Sequence, residues 1–412
     1  MKKIAVIGAG QAAISAIVSL RQAGFQGAIR LIGEEPFPPY QRPPLSKTYM
    51  KGQVDAERLF FKPAPWYTDN AIDLALDTRA TGIDTGARRV ATDPGGHIDY
   101  DALLIATGSR ARKLTLPGAD LANVFELRTL TDVARIRSSL AQGANLVVIG
   151  AGYIGLEAAA AATQIGVNVT VVEYAERVLE RVTSPILSEF FVRKHRAEGV
   201  EIQTSARIEK LVGAKGRVSG VELRDGTVLP ADAVLVGIGI VPNQELASDA
   251  GIQCNNGIVV DRDARTSDRF VFAAGDCTHR PLVHYAREGR LESVHNAIEQ
   301  GKLAAAAMLG KPRPLEDCPW FWSDQYDVKL QIAGLSAGYD DIVIRGDVNS
   351  GHFAAFYLKE SRLIATDAIN SPQEFLLSKK LITAHSIFDP AALADTTRSI
   401  KEIAASCSAG LE

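Results

Sequence analysis

The sequence predicts an α/β fold with two Rossmann-like nucleotide-binding domains and a C-terminal α+β domain. Three observations lead to it. Residues Leu146–Glu173 run as an apolar strand, a Gly150-x-Gly152-x-x-Gly155 turn, an alanine-rich helix and a second strand that ends in an acid. The same order occurs at the start of the chain, where Gly8-x-Gly10-x-x-Ala13 makes the turn. Beyond residue 329 the pattern changes to short strand-like runs followed by helical ones.

In chain order, Ile4–Ile7 is the first strand and Gly8-x-Gly10-x-x-Ala13 the turn, with alanine as the third small residue. Ile14–Ala23 continues as a helix that Gly24 ends. Ala28–Ile32 is the second strand, and Glu34 and Glu35 stand where an acid is expected, about 20 residues after the turn. Next comes Tyr40-Gln-Arg42-Pro-Pro-Leu-Ser46-Lys47. Its two prolines fix the backbone before a helix start at Ser46. Arg42 and Lys47 then either face a pyrophosphate or flavin ring or form a solvated basic turn. Ile72–Leu76 and Leu103–Ile105 are strand signals, the latter followed by Ala106-Thr107-Gly108.

Pro117-Gly118 marks a linker. In the unit after it, Gly150 allows a tight turn, Gly152 lets the backbone approach a pyrophosphate, and Gly155 lets the helix pack close to the strand. The free N–H groups of the helix N-terminus face the phosphates. Glu173 is placed to accept both ribose hydroxyls. A carboxylate there repels a 2′-phosphate, and Tyr174, Ala175 and Glu176 supply no cation, so NADH is expected over NADPH. Two such folds in one chain imply two dinucleotides. A bound flavin and a visiting nicotinamide is the sensible pair, because a hydride passes directly between them.

Val234–Gly239 reads as a strand with glycine kinks and Phe270–Ala274 as a strand leading into Gly275-Asp276. Ala297–Leu309 is a helix whose N-terminal dipole favours negative charge. Trp320-Phe321-Trp322 opens the last domain. Strands at Lys329–Ala333, Asp341–Arg345, Phe353–Leu358 and Leu363–Ala368 precede helices at Glu374–Thr383 and 391–406. The expected division is 1–112 with 246–318, then 113–245, then 319–412.

The chain has 412 residues, 46% apolar and 23% charged, with a net charge of −3. That suits a globular protein with sizeable cores and argues against a nucleic-acid or membrane surface. Four scattered cysteines (Cys254, Cys277, Cys318, Cys407) form neither a CxxC nor a zinc pattern, as expected for a reducing cytoplasm without a structural metal. Met1-Lys2-Lys3 before an apolar stretch mimics a secretory signal, but cleavage would destroy the first nucleotide turn.

YQRPPLSK after a first GxGxxA resembles the flavin-dependent ferredoxin reductases of the pyridine nucleotide–disulfide oxidoreductase superfamily, whose domains are of the glutathione-reductase type. The resemblance spans essentially the whole chain. It implies that the first turn holds FAD, through Gly8, Gly10, Gln11, Ala12 and Ala13 at the pyrophosphate and Glu34, beside Glu35, at the adenosine ribose. It places Arg42 and Lys47 near the flavin and the Ala80 backbone at adenine. Ala106, Thr107 and Gly108 close the first pass of the FAD domain, and Arg128 contacts FAD. Gly275 and Asp276 meet the ribityl chain, and Glu292, Ser293 and Val294 meet the pyrimidine edge. Trp322 lies beside flavin and nicotinamide. His295 only positions backbone, since hydride transfer to the flavin needs no protein acid. The second turn holds NADH through Gly150, Gly152, Tyr153, Ile154, Gly155, Glu157, Glu173 and Gly239.

Disulfide reductases of this superfamily carry Cys-x4-Cys after the first βαβ unit, whereas residues 36–52 contain no cysteine. Reduced flavin is therefore expected to give its electrons to an external acceptor. The resemblance implies an NADH-dependent ferredoxin reductase with no covalent catalyst, in which Lys47, Glu157 and Trp322 flank the flavin. Its partner would be a [2Fe–2S] ferredoxin that feeds a cytochrome P450 or a ring-hydroxylating oxygenase. The alternatives are another acceptor, such as rubredoxin or a quinone, or a redox-signalling flavoprotein of the apoptosis-inducing-factor type. Arg287, Arg290, Arg313, Lys329, Lys379 and Lys380 are candidate docking cations on an expected monomer.

Overall fold

The computed structural model describes residues 1–405, so Ser406, at the end of the last expected helix, and Cys407 lie outside the described residues. Contacts group residues 1–41, 57–110 and 241–317 into one unit, and 42–56, 111–240 and 318 onward into a second.

The first unit is built on a five-stranded parallel sheet in the order Val271–Ala273, Ala102–Ile105, Lys3–Ile7, Ala28–Ile32, Ile72–Ala75. Its central strands read as continuous apolar runs because both faces are covered. Ile4, Val6, Leu31 and Leu104 belong to one buried cluster, and Ala5, Ile7, Ile32 and Leu103 to another. Helices Gln11–Gln22 and Val294–Met308 pack against each other. Gly301 makes that approach possible: a Cβ there would sit 2.6 Å from the Ala12 carbonyl oxygen and 2.9 Å from the Ala16 nitrogen. A three-stranded antiparallel sheet, Arg79–Asp84, Arg89–Asp93 and Gly96–Asp99, carries Ala80.

The second unit holds a matching parallel sheet in the order Glu201–Gln203, Asn168–Val172, Asn145–Ile149, Ala233–Val236, Val124–Glu126. Helix Tyr153–Gln164 buries Ala158–Ala162 and lies against this sheet. Its alanines have no side-chain entropy to lose, which suits a helix buried all round. A five-stranded antiparallel sheet follows in the order Trp320–Gln325, Val328–Gly334, Arg362–Ile369, His352–Lys359, Asp341–Asp347. Helix Pro372–Thr383 packs on it. Asp367 lies in its buried interior, and the hydroxyls of Tyr357 and Thr183 each donate to its Oδ2 at 2.6 Å. Thr183 precedes helix Pro185–Ala197, so this contact ties that helix to the C-terminal sheet.

Four features differ from expectation. Residues 42–56 pack with the second unit, because Lys47 and Ser46 bond to Glu157. The helix expected to start at Ser46 is a short 3₁₀ turn, Pro43–Ser46, whose two leading prolines lack an N–H. Trp320–Gln325, for which the sequence suggests no element, is a strand. The helix expected over 391–406 is two, Pro390–Ala394 and Ile400–Ala405. Asp395 breaks it by accepting from the Thr397 backbone and hydroxyl, and Ser399 with Glu402 caps the second piece.

Candidate functional site: two glycine turns and a buried ion pair

In the first unit Gly8 has φ +106°, and a Cβ there would lie 2.2 Å from the Ala106 carbonyl oxygen, so only glycine fits beside the Ala106–Gly108 turn. Gly10 ends the turn in extended backbone and precedes helix Gln11–Gln22, whose N-terminus no side chain caps. A Cβ at Gly10 meets nothing within 4 Å. Open space in front of orphan N–H groups is what a phosphate requires. Gln11 is held by Ser15, and Ala12 and Ala13 are buried. Gly275 has φ +91°, and a Cβ there would lie 3.1 Å from the Ala12 Cβ, which puts the Gly275–Asp276 turn at the same helix end. Asp276 accepts from the Ser109 hydroxyl at 3.1 Å.

Two residues outside the motifs fix this arrangement. Gln300 Oε1 accepts from the Gly275 N–H and the Thr278 hydroxyl, both at 2.8 Å. Asn243 exchanges two hydrogen bonds with Thr107, at 2.7 and 3.0 Å. Ser293 caps helix Val294–Met308 through the Asn296 N–H. Glu292 is paired with Arg290, and His295 lies 3.5 Å from Glu299. Glu34 is exposed and 3.7 Å from Arg79, while Glu35 accepts from the Tyr40 hydroxyl. Ala80 sits in the antiparallel sheet opposite Thr92.

The second unit repeats the turn. Gly150 has φ +99°, and a Cβ there would lie 2.6 Å from the Gly237 carbonyl oxygen. A Cβ on Gly155 would sit 2.1 Å from the Gly150 carbonyl oxygen. Gly152 again faces open space before an uncapped helix, Tyr153–Gln164. Glu173 accepts from Ala151 N–H at 2.6 Å and Ala175 N–H at 2.8 Å, which holds its carboxylate against the turn. Arg177, the nearest following cation, is occupied by the carbonyls of Thr183 and Glu180 and by Ser188. Gly239 has φ +96°, and the Arg181 guanidinium comes within 3.7 Å of its Cβ position. Arg181 was not anticipated, since no local pattern reveals that approach.

Glu157 is 2% exposed, and three polar side chains surround its carboxyl group. Lys47 Nζ lies 2.6 Å from Oε2, the Ser46 hydroxyl donates to the same oxygen at 2.5 Å, and the Ser323 hydroxyl donates to Oε1 at 2.6 Å. Tyr153 stacks on Phe321 at 4.8 Å, and burial holds its hydroxyl, which has no hydrogen-bond partner among the described residues, well above its ordinary pKa. Ile154 is exposed. Trp322 lies 5.6 Å from Trp320. Arg42 donates to the Arg128 carbonyl at 2.6 Å, bringing two predicted cations together.

Burial raises Cys277 to about 11 and also raises Cys254, so neither is a ready thiolate. Among the described residues no group of His, Cys, Asp and Glu is arranged to hold a metal ion.

Residues 2–301 match the family model for the pyridine nucleotide–disulphide oxidoreductases. The chain belongs to that family. Residues 320–404 match the reductase C-terminal domain that accompanies it. As a pyridine nucleotide–disulphide oxidoreductase, the protein is an enzyme with FAD and NAD(H) as cofactors. The chain is 44% identical to rhodocoxin reductase of Rhodococcus erythropolis, over 97% of this chain and 93% of the relative. It is 42% identical to putidaredoxin reductase of Pseudomonas putida, over 99% and 98%. It also superposes on the crystal structure of a covalent putidaredoxin reductase–putidaredoxin complex, with TM-score 0.96, 41% identity and coverage of 100% and 99%.

Proposed function

We propose that this chain is an NADH-dependent ferredoxin reductase. It passes electrons from NADH through FAD to a [2Fe–2S] ferredoxin that serves a cytochrome P450 or a ring-hydroxylating oxygenase. The carrying observation is that one chain presents two open, uncapped glycine turns, at Gly10 and Gly152. The relatives' names, rhodocoxin reductase and putidaredoxin reductase, support a ferredoxin as acceptor. The lack of cysteine in residues 36–52 leaves no dithiol to take electrons there.

In this reading the chain binds and orients. Gly8, Gly10, Gln11, Ala12 and Ala13 cradle the FAD pyrophosphate, and Glu34 with Glu35 takes the ribose. Ala80, Ala106, Thr107, Gly108, Arg42, Arg128, Gly275, Asp276, Glu292, Ser293 and Val294 complete the FAD contacts. Gly150, Gly152, Tyr153, Ile154, Gly155, Glu173 and Gly239 take NADH. Lys47, Glu157 and Trp322 flank the reacting rings. FAD supplies the conversion of a two-electron donor into a one-electron donor. The Lys47–Glu157 pair keeps charge balanced in a buried place and holds the lysine in one position. The protein acts as a cytoplasmic monomer, and among the described residues no helix is long and apolar enough to cross a membrane. Within the expected docking set Arg313 is engaged by Asp263 and Arg290 by Glu292, while Lys379 and Arg287 lie over the Trp320 and Tyr285 rings, which leaves fewer for a ferredoxin.

The test is anaerobic stopped-flow of the yellow holoprotein with NADH, followed by a panel of [2Fe–2S] ferredoxins. Bleaching by NADH and fast reoxidation by one ferredoxin are expected. No bleaching would overturn the NADH and flavin roles together. Bleaching without reoxidation by any ferredoxin would overturn the acceptor.

A further inference from the structure

Glu157 is the end of a longer chain of contacts, all within the second unit. Ser323 Oγ, which donates to Glu157 Oε1 at 2.6 Å, lies 3.1 Å from Gln325 Nε2. Gln325 Oε1 lies 2.8 Å from His195 Nε2, and His195 Nδ1 lies 3.2 Å from the Tyr326 hydroxyl. Ser323, Gln325 and His195 are buried, at 1%, 1% and 0% exposure. Strand alternation puts Ser323 and Gln325 on one face and Trp322 on the other. Helix Tyr153–Gln164, which carries Glu157, packs against this strand. Helix Pro185–Ala197 supplies His195.

The direction of every bond follows from the terminus. A carboxylate only accepts, so Ser323 donates to it. The Ser323 oxygen then accepts from the Gln325 amide nitrogen, which leaves the Gln325 carbonyl to accept from His195. His195 must therefore carry its proton on Nε2, and its bare Nδ1 accepts from Tyr326. Reversing a bond inside this chain would set two donors or two acceptors against each other in a buried place.

We infer that His195, Gln325 and Ser323 are positioning residues: a one-way hydrogen-bond chain that fixes the Glu157 carboxylate and, through it, the Lys47 ammonium. None of the three need touch a cofactor. Their effect reaches the reacting rings only through Glu157 and Lys47, so this inference rests on the role proposed for that pair. Lys47, which follows the 3₁₀ turn, also donates to the Pro43 carbonyl at 3.3 Å.

The test uses the holoenzyme and two substitutions at His195, far along the chain from Glu157. His195→Gln keeps an N–H donor near the Nε2 position; His195→Leu removes it. The inference predicts that His195→Leu slows the limiting rate of flavin reduction at saturating NADH on the order of tenfold, while the Kd for NADH changes less than about twofold. His195→Gln should restore most of the rate. Nitrogen-15 spectra of histidine-labelled holoprotein supply a readout independent of turnover. They should show His195 as the Nε2–H tautomer in the wild type and shift its signals in Ser323→Ala. A limiting rate unchanged in His195→Leu, an equal loss in both His195 variants, or an Nδ1–H tautomer in the wild type would overturn the inference. A wild type that NADH does not reduce would instead overturn the functional reading.

Discussion

Replacing Asp367 by Asn should flatten part of the protein's pH–stability profile. The Asp367 carboxyl is 1% exposed, takes two hydroxyl donors on Oδ2, and has no ion pair among the described residues. Burial pushes its pKa up from 3.8 to about 6. That difference corresponds to about 3 kcal/mol between the two protonation states. The folded chain holds this proton more tightly than the unfolded one. Its contribution therefore favours folding below about pH 4 and is lost as the pH rises through about 6. Asn keeps an oxygen for both hydroxyls and removes the charge. Its amide NH₂ adds a pH-independent cost of about 1–3 kcal/mol if it finds no acceptor. The informative quantity is thus the change with pH of the stability difference between variant and wild type. Between pH 4 and pH 8 that difference should move in favour of the variant by more than about 2 kcal/mol. Urea unfolding followed by tryptophan fluorescence reads it, because Trp320 and Trp322 lie in the same sheet. A difference constant across the range would refute the reasoning, and so would one that moves in favour of the wild type.

Three further outcomes are expected. Gly155→Ala drives a Cβ to 2.1 Å from the Gly150 carbonyl oxygen, so NADH binding by titration should be lost while flavin absorbance is retained. Glu173→Ala frees the Ala151 and Ala175 N–H groups and removes the carboxylate that would face a 2′-phosphate. The ratio of kcat/KM for NADPH to that for NADH should rise about tenfold or more, from a wild-type value below one, which corresponds to about 1.4 kcal/mol. Arg345→Met removes a guanidinium that donates to the carbonyls of Leu393, Asp395 and Arg398. Limited proteolysis should then cut within residues 389–405 before any other region, since bonds to charged donors contribute about 1.5–3 kcal/mol each.

Local chemistry made the nucleotide turns legible. Gly8, Gly150 and Gly155 are required by contacts a few ångströms away, and the glycine spacing reports those contacts directly. Long-range partners left no local trace. Asn243 reaches Thr107 and Gln300 reaches Gly275 only because the sheet brings distant segments together. The strand Trp320–Gln325 was hidden because three aromatics precede Ser323, so no apolar–polar alternation shows until its last residues. The break between Pro390–Ala394 and Ile400–Ala405 was legible in principle, since Ser399-x-x-Glu402 is a helix-start signal. The allegiance of residues 42–56 was not, because it depends on Glu157 as a buried anchor.

The parallel sheet of the first unit closes only when Val271–Ala273 pairs with Ala102–Ile105, and the Gly301 crossing onto Ala12 and Ala16 comes later still. On the ribosome, residues 111–240 emerge between Ala102–Ile105 and Val271–Ala273. At ordinary synthesis rates that is a delay on the order of ten seconds, during which four strands wait with an open edge. The inserted sheet, whose strands are contiguous from Val124 to Val236, can form during that pause and shorten the distance the late strand must search. Flavin capture is consequently a late event in biogenesis. Messages truncated before residue 301 should yield colourless protein even though the whole first glycine turn has been made.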